Sequence, residues 1–127
     1  MSGPTVVGQH YVLAVPDIEA AATWWTEIMG FAVWMKPEGW VYVRRGACSV
    51  MMGECPDAIP PKNLGDHSYF AYIEMDDVTA YHAEVTARGL AVAPPTDKPW
   101  GMREMIVHTP DGHRIMFGQD LQKAADV

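Results

Sequence analysis

Residues 98–119, KPWGMREMIVHTPDGHRIMFGQ, read as two strands joined by a tight turn. Pro110-Asp111-Gly112-His113 carries the turn chemistry. Proline pre-sets one dihedral, aspartate caps the reversal, and glycine tolerates a positive φ. The first strand places Arg103 and Glu104 among apolar residues. The second alternates Arg114, Met116 and Gly118 on one face with Ile115 and Phe117 on the other. A closing hairpin with polar groups opposite an apolar face predicts a cupped sheet that holds something.

Outward from this hairpin, the chain shows a repeat. A strand over 9–15 is ended by Pro16-Asp17, whose carboxylate suits a helix N-cap. The helix predicted over 18–29 repeats Ala21, Trp24, Trp25 and Ile28 at helical spacing and stops at Gly30. Short strands follow over 31–36, 40–44 and 47–52, and the proline-rich stretch 53–66 reads as a linker. The pattern then recurs: a strand over 67–75, the cap Asp76-Asp77, a helix over 78–88, Gly89, and strands from 90–93, 102–108 and 113–118. Asp17 to Gly30 and Asp76 to Gly89 are each thirteen residues apart. Two β-α-β-β-β modules, 8–52 and 67–119, make one α+β domain. Each module alone is too small to bury its sheet, so the two pair around a cupped mixed sheet.

Composition bounds the function. With 127 residues, 49% hydrophobic and 20% charged, the chain has the makings of one ordered domain. Sixteen acidic against nine basic residues give −7, the wrong sign for nucleic acid. This acidity serves solubility and suits a cationic small molecule. No basic leader precedes an apolar segment and no apolar run approaches a membrane span of ~18 residues, so a cytoplasmic protein without membrane contact is expected. Cys48 and Cys55 show no CxxC spacing, and no phosphate-cradling glycine loop is present.

The chain resembles the vicinal-oxygen-chelate superfamily, which includes glyoxalase I, extradiol dioxygenases, and fosfomycin- and bleomycin-resistance proteins. The resemblance rests on the paired modules, on Gly30-Phe31, and on Thr109-Pro110-Asp111-Gly112-His113. That last stretch is similar to the family's D-P-D-G-[NH] turn, with Thr109 for the first aspartate. The resemblance implies one metal-ligand position on each of four strands, occupied here by His10, Met51, Phe70 and Met116. Thioethers and a phenyl ring are poor partners for a hard or borderline ion, so no metal and no other cofactor is expected. His67 has the wrong parity to replace Phe70, and Glu74 lies about 13 Å along the strand from it.

Pro99-Trp100-Gly101-Met102-Arg103-Glu104-Met105 is similar to the closing segment of the bleomycin-resistance branch. That branch implies a homodimer holding a flat, often cationic drug without catalysis. The expected ligand-binding set is His10, Val12, Trp40 (or its neighbour Val41), Met51, Phe70, Tyr72, Trp100, Arg103 and Met116, with no catalytic residue. Methionine supplies a deformable, polarizable surface, and the aromatics supply stacking. Three alternatives remain: a metal-dependent lyase, isomerase or dioxygenase using His10, a metal-free enzyme with His10 or Glu104 as general base, and an accessory or purely structural partner domain.

Overall fold

Two aspartates start the two helices. Asp17 accepts from the Glu19 and Ala20 N–H groups at 3.0 and 3.1 Å, and Asp77 from Ala80 at 2.9 Å. Each satisfies donors that the first helical turn leaves free. The computed structural model describes residues 3–4, 7–64 and 69–122. The first module comprises β1 (Tyr11–Val15), α1 (Ile18–Glu27), β2 (Ala32–Met35), β3 (Trp40–Arg45) and β4 (Cys48–Glu54). The second comprises β5 (Tyr69–Glu74), α2 (Val78–Ala87), β6 (Thr96–Asp97), β7 (Met102–His108) and β8 (Arg114–Asp120). Each module forms a four-stranded mixed sheet, in the orders β1-β4-β3-β2 and β5-β8-β7-β6. In each, one strand pair is parallel, β1 with β4 and β5 with β8.

The expected strand over 90–93 is absent; the second module's outer strand shrinks to Thr96–Asp97. Pro94 and Pro95 have no N–H to give a ladder, so pairing starts only after them. The linker between the modules is shorter than 53–66, because Gly53 and Glu54 belong to β4. Its described part ends in a 3-10 turn, Pro61–Asn63. That turn packs so close to Gly112 that a Cβ there would meet the Lys62 backbone N at 2.8 Å. Gly112 also holds φ at 93°, as its place in the β7–β8 turn requires. Among the described residues no helix is long and apolar enough to cross a membrane.

The helix-bearing faces of both sheets share one core. It takes Leu13, Val15, Val43 and Met52 from the first module and Ile73, Val107, Ile115 and Phe117 from the second. Trp25 is the largest of its fully buried side chains. Polar contacts stitch the modules at the helix ends. The Tyr81 hydroxyl donates to the Met29 carbonyl at 2.8 Å, and Arg45 donates twice to Glu84, at 2.6 and 2.8 Å. The Arg45 guanidinium also stacks 4.7 Å from the Tyr81 ring centre, and its hydrogen bonds hold the Glu84 carboxyl below the usual carboxylate range. Gly30 makes this approach possible. It sits at φ 75°, and a Cβ there would meet the Arg45 guanidinium and, at 2.7 Å, the Glu84 carboxylate.

His113 gives this core a pH dependence. Its ring is buried against the edge of Phe70 and lies 3.1 Å from the Thr109 hydroxyl. Burial lowers its pKa below 6.5, outweighing the opposing influences of Asp111 and a backbone hydrogen bond with Ala14. The unfolded chain therefore binds this proton more readily than the folded one. The stabilisation is complete above pH ~6.5 and is lost as pH falls through that value, at up to about 1.4 kcal/mol per pH unit. Urea midpoints at pH 7.5 and 5.5 should show a smaller drop for H113Q than for the wild type. Equal drops would remove His113 from the account.

Candidate functional site

Strand pleating puts alternate residues of each sheet on the face away from the helices. On the first sheet, register aligns Val12, Met51, Tyr42 and Met35 in one row across β1, β4, β3 and β2. The next row aligns Ala14, Gly53 and Trp40. Trp40 lies flat over Gly53, where a Cβ would meet its ring carbons at 3.0–3.2 Å, and it meets Tyr42 edge-on at 6.2 Å. Trp34 sits where the β2–β3 register slips. Its ring packs 5.5 Å from Tyr42, under the Arg44 guanidinium at 5.3 Å, and stacks with His10 at 6.2 Å. His10 precedes β1 at the opposite edge, so this contact spans the concave side. A hollow of about 260 Å³ lies beside Trp40, lined by Val12, Ala14, Gly39 and Gly53.

The second sheet repeats the plan with different chemistry. Tyr72, Met116 and Ile106 form the row matching Val12, Met51 and Tyr42. Glu74, Gly118, Glu104 and Thr96 form the row matching Ala14, Gly53 and Trp40. Tyr72 arches over Gly118 as Trp40 does over Gly53, and its hydroxyl donates to the Glu104 carboxylate at 2.8 Å. The Trp100 indole N–H donates to the same oxygen at 3.2 Å. Burial comes first, then the Glu104 hydrogen bond and the charges of Glu104, Glu74 and Asp120; together they push the Tyr72 phenol pKa up and keep it a donor.

Of the residues expected to bind, His10, Val12, Trp40 and Met51 stand on the first open face, and Tyr72, Met116 and Trp100 on the second. Two stand elsewhere. Arg103 shares its face with Met105 and Val107, the helix side, where it donates to Asp97 at 2.6 and 3.2 Å and to Thr79 of α2 at 3.3 Å. Strand parity excludes it from the face that Glu104 and Ile106 occupy. Phe70 lies where the β5–β8 register shifts, and its ring packs edge-on to Tyr11 and His113 at 5.8 and 6.0 Å. It fills the seam between the modules. A cavity of about 340 Å³ opens beside it, bounded by Val12, Leu64, Tyr69, His113 and Arg114. His67 lies outside the described residues.

Sequence reading missed Trp34, Tyr42 and Ile106, and weighed Glu104 only as a base. Tyr42 and Ile106 could have been found by pairing Met51 and Met116 across the next strand. Trp34 could not, because an irregular register hides its face. Three buried polar atoms, Trp34 Nε1, Ser49 Oγ and Arg114 Nη1, have no hydrogen-bond partner among the described residues. Buried polar groups are normally satisfied, so these stand out.

The donor set does not fit a metal ion. Among the described residues no three His, Cys, Asp or Glu side chains converge, and the four family positions hold one imidazole, two thioethers and a phenyl ring. Burial pushes the Cys48 thiol up to about 11, so it is no ready nucleophile.

The family model described as Glyoxalase/Bleomycin resistance protein/Dioxygenase superfamily matches residues 9–117. No curated protein matches the chain. Among solved structures, TioX from Micromonospora sp. ML1 is 27% identical, with a TM-score of 0.70 over 90% of this chain and all of its own. TnmS3, an antibiotic binding protein from Streptomyces sp. CB03234, is 26% identical, with a TM-score of 0.71 over 92% of this chain and 99% of its own. A bleomycin resistance determinant encoded on the transposon Tn5 shares the fold, with a TM-score of 0.76 at 19% identity over 91% of this chain and 98% of its own.

Proposed function

The chain belongs to the Glyoxalase/Bleomycin resistance protein/Dioxygenase superfamily, and on that premise we propose that it binds a small aromatic compound and sequesters it, without metal and without chemistry. The observation that carries this reading is the first open face. There Trp34, Trp40, Tyr42 and Met51 form a continuous aromatic and thioether surface turned away from the protein's own core. Such surfaces bind flat ligands by stacking and need no catalyst. TnmS3 is described as binding an antibiotic, and the same class of ligand suits this chain.

A homodimer is part of the proposal. The two open faces belong to two separate sheets that share one core, and each offers a surface that a second copy can cover. A second copy brings a second-module face over a first-module face. Light scattering at micromolar concentration should give twice the 14.1 kDa chain mass; a monomer would overturn the shared pocket. Bleomycin, planar quinones and polyaromatic dyes should be titrated against tryptophan fluorescence. Saturable quenching by at least one of them is expected, and flat emission with all of them would overturn the binding reading.

A further inference from the structure

We propose that Glu104, held between Tyr72 and Trp100, selects a ligand that carries a positive charge, a protonated amine or a cationic ring nitrogen. This rests on the ligand-binding reading above and names the ligand class. Glu104 occupies the open face of β7, yet it is only 8% exposed. Tyr72 covers it from β5, and Trp100, within the 98–101 turn that leads into β7 and closes at Gly101 (φ 88°), reaches over it. Both partners are neutral donors, and both use the same carboxylate oxygen, Oε2.

Among the described residues no cation lies within ion-pair distance of Glu104. Arg103, next in sequence, faces the other side and is held by Asp97. Arg114 stands on the same face but four residues along β8 from Gly118, about 13 Å away. A desolvated carboxylate without a counter-charge is costly to keep. That cost is recovered when a cation arrives.

The walls suit the same guest. Trp100 is 66% exposed and Tyr72 45%, so two π faces stand open beside the buried charge, an arrangement that attracts cations. The matched place in the first module is Trp40, which carries no charge. One face therefore asks for a flat ring and the other for a cation. An aromatic body with a cationic end satisfies both.

The test uses two tricyclic dyes of one framework at pH 7.5: proflavine, protonated there, and acridine, neutral there. Binding is read by tryptophan quenching and dye polarisation. The wild type should prefer proflavine by about ten-fold or more. E104Q keeps an oxygen for Tyr72 and Trp100 but removes the charge; it should weaken proflavine about thirty-fold and leave acridine within a factor of about two. An unchanged proflavine-to-acridine ratio in a folded E104Q overturns the proposal. The wild type decides the matter even where the variant fails to fold, since equal affinity for the two dyes also overturns it. Absence of binding by either dye, together with flat emission for the uncharged ligands above, would defeat the binding reading itself. Acridine bound without preference defeats only the role of Glu104.

Discussion

Trp25→Ala should lower the stability of this protein by about 4 kcal/mol, the usual range for truncating a large buried aromatic side chain being ~3–5 kcal/mol. Trp25 is 1% exposed on the inner face of α1. Its ring meets Phe31 edge-on at 4.8 Å and Trp24 at 5.3 Å, and its carbonyl accepts from the Phe31 N–H at 3.0 Å. Removing the indole leaves a cavity in a core built jointly by both modules, where neither sheet can move in to fill it. A domain of this size has about 5–15 kcal/mol in total, so much of the margin goes. Urea unfolding should show a lower midpoint with an unchanged slope, and the thermal midpoint should fall by about 15 °C. Trp24→Ala is the comparison, because Trp24 is only half-buried on the next position of the helix. A loss at Trp25 no larger than at Trp24 would contradict this account of the core.

Gly118→Ala should cost about 2–3 kcal/mol, because a lost hydrogen bond to a charged, buried acceptor is worth ~1.5–3 kcal/mol. A methyl group at 118 would occupy the place of the Tyr72 hydroxyl. Tyr72 must swing away, leaving the buried Glu104 carboxylate with the Trp100 indole alone. The cause is separable from any general intolerance of the strand by a double-mutant cycle. In a Tyr72→Ala background the obstacle is gone, and Gly118→Ala should then cost only a few tenths of a kcal/mol. Equal costs in both backgrounds would exclude Tyr72 as the reason. Gly53→Ala is the internal parallel: there the added carbon meets the Trp40 ring at 3.0–3.2 Å, a milder approach, so its cost should be smaller.

Those matched glycines also show what a repeat conceals. Matching the modules strand by strand finds Met51 and Met116 at equivalent positions, each beside the middle of its module's first strand, and the structure places both on an open face. His10 and Phe70 each stand seven residues before the aspartate that caps their module's helix, Asp17 and Asp77, but they part company. The β5–β8 ladder shifts register beside Phe70, which turns its ring into the seam between the modules. Arg103 illustrates a different limit. It sits next to Glu104 in a segment read as a pocket rim, and a strand sends neighbours to opposite faces. Pattern alone could not say which of the two faced the open side; the helix packed against Met105 and Val107 does.

The sequence by itself determined what is local or periodic: two capped helices, the Thr109–His113 turn, the alternation within each strand, and the two-module α+β plan. These follow from backbone conformation and spacing within a few residues, which a linear chain displays directly. Only the tertiary structure decided how the modules meet. They share their helix-bearing faces through Arg45, Glu84, Tyr81 and Met29, which leaves both concave faces pointing outward. Only that packing shows Glu104 to be a buried carboxylate and Trp34 and Tyr42 to be parts of one aromatic surface. The physical reason is that burial depends on which strands pack side by side, as when Tyr72 covers Glu104 from 32 positions away, and nothing in local spacing encodes that contact.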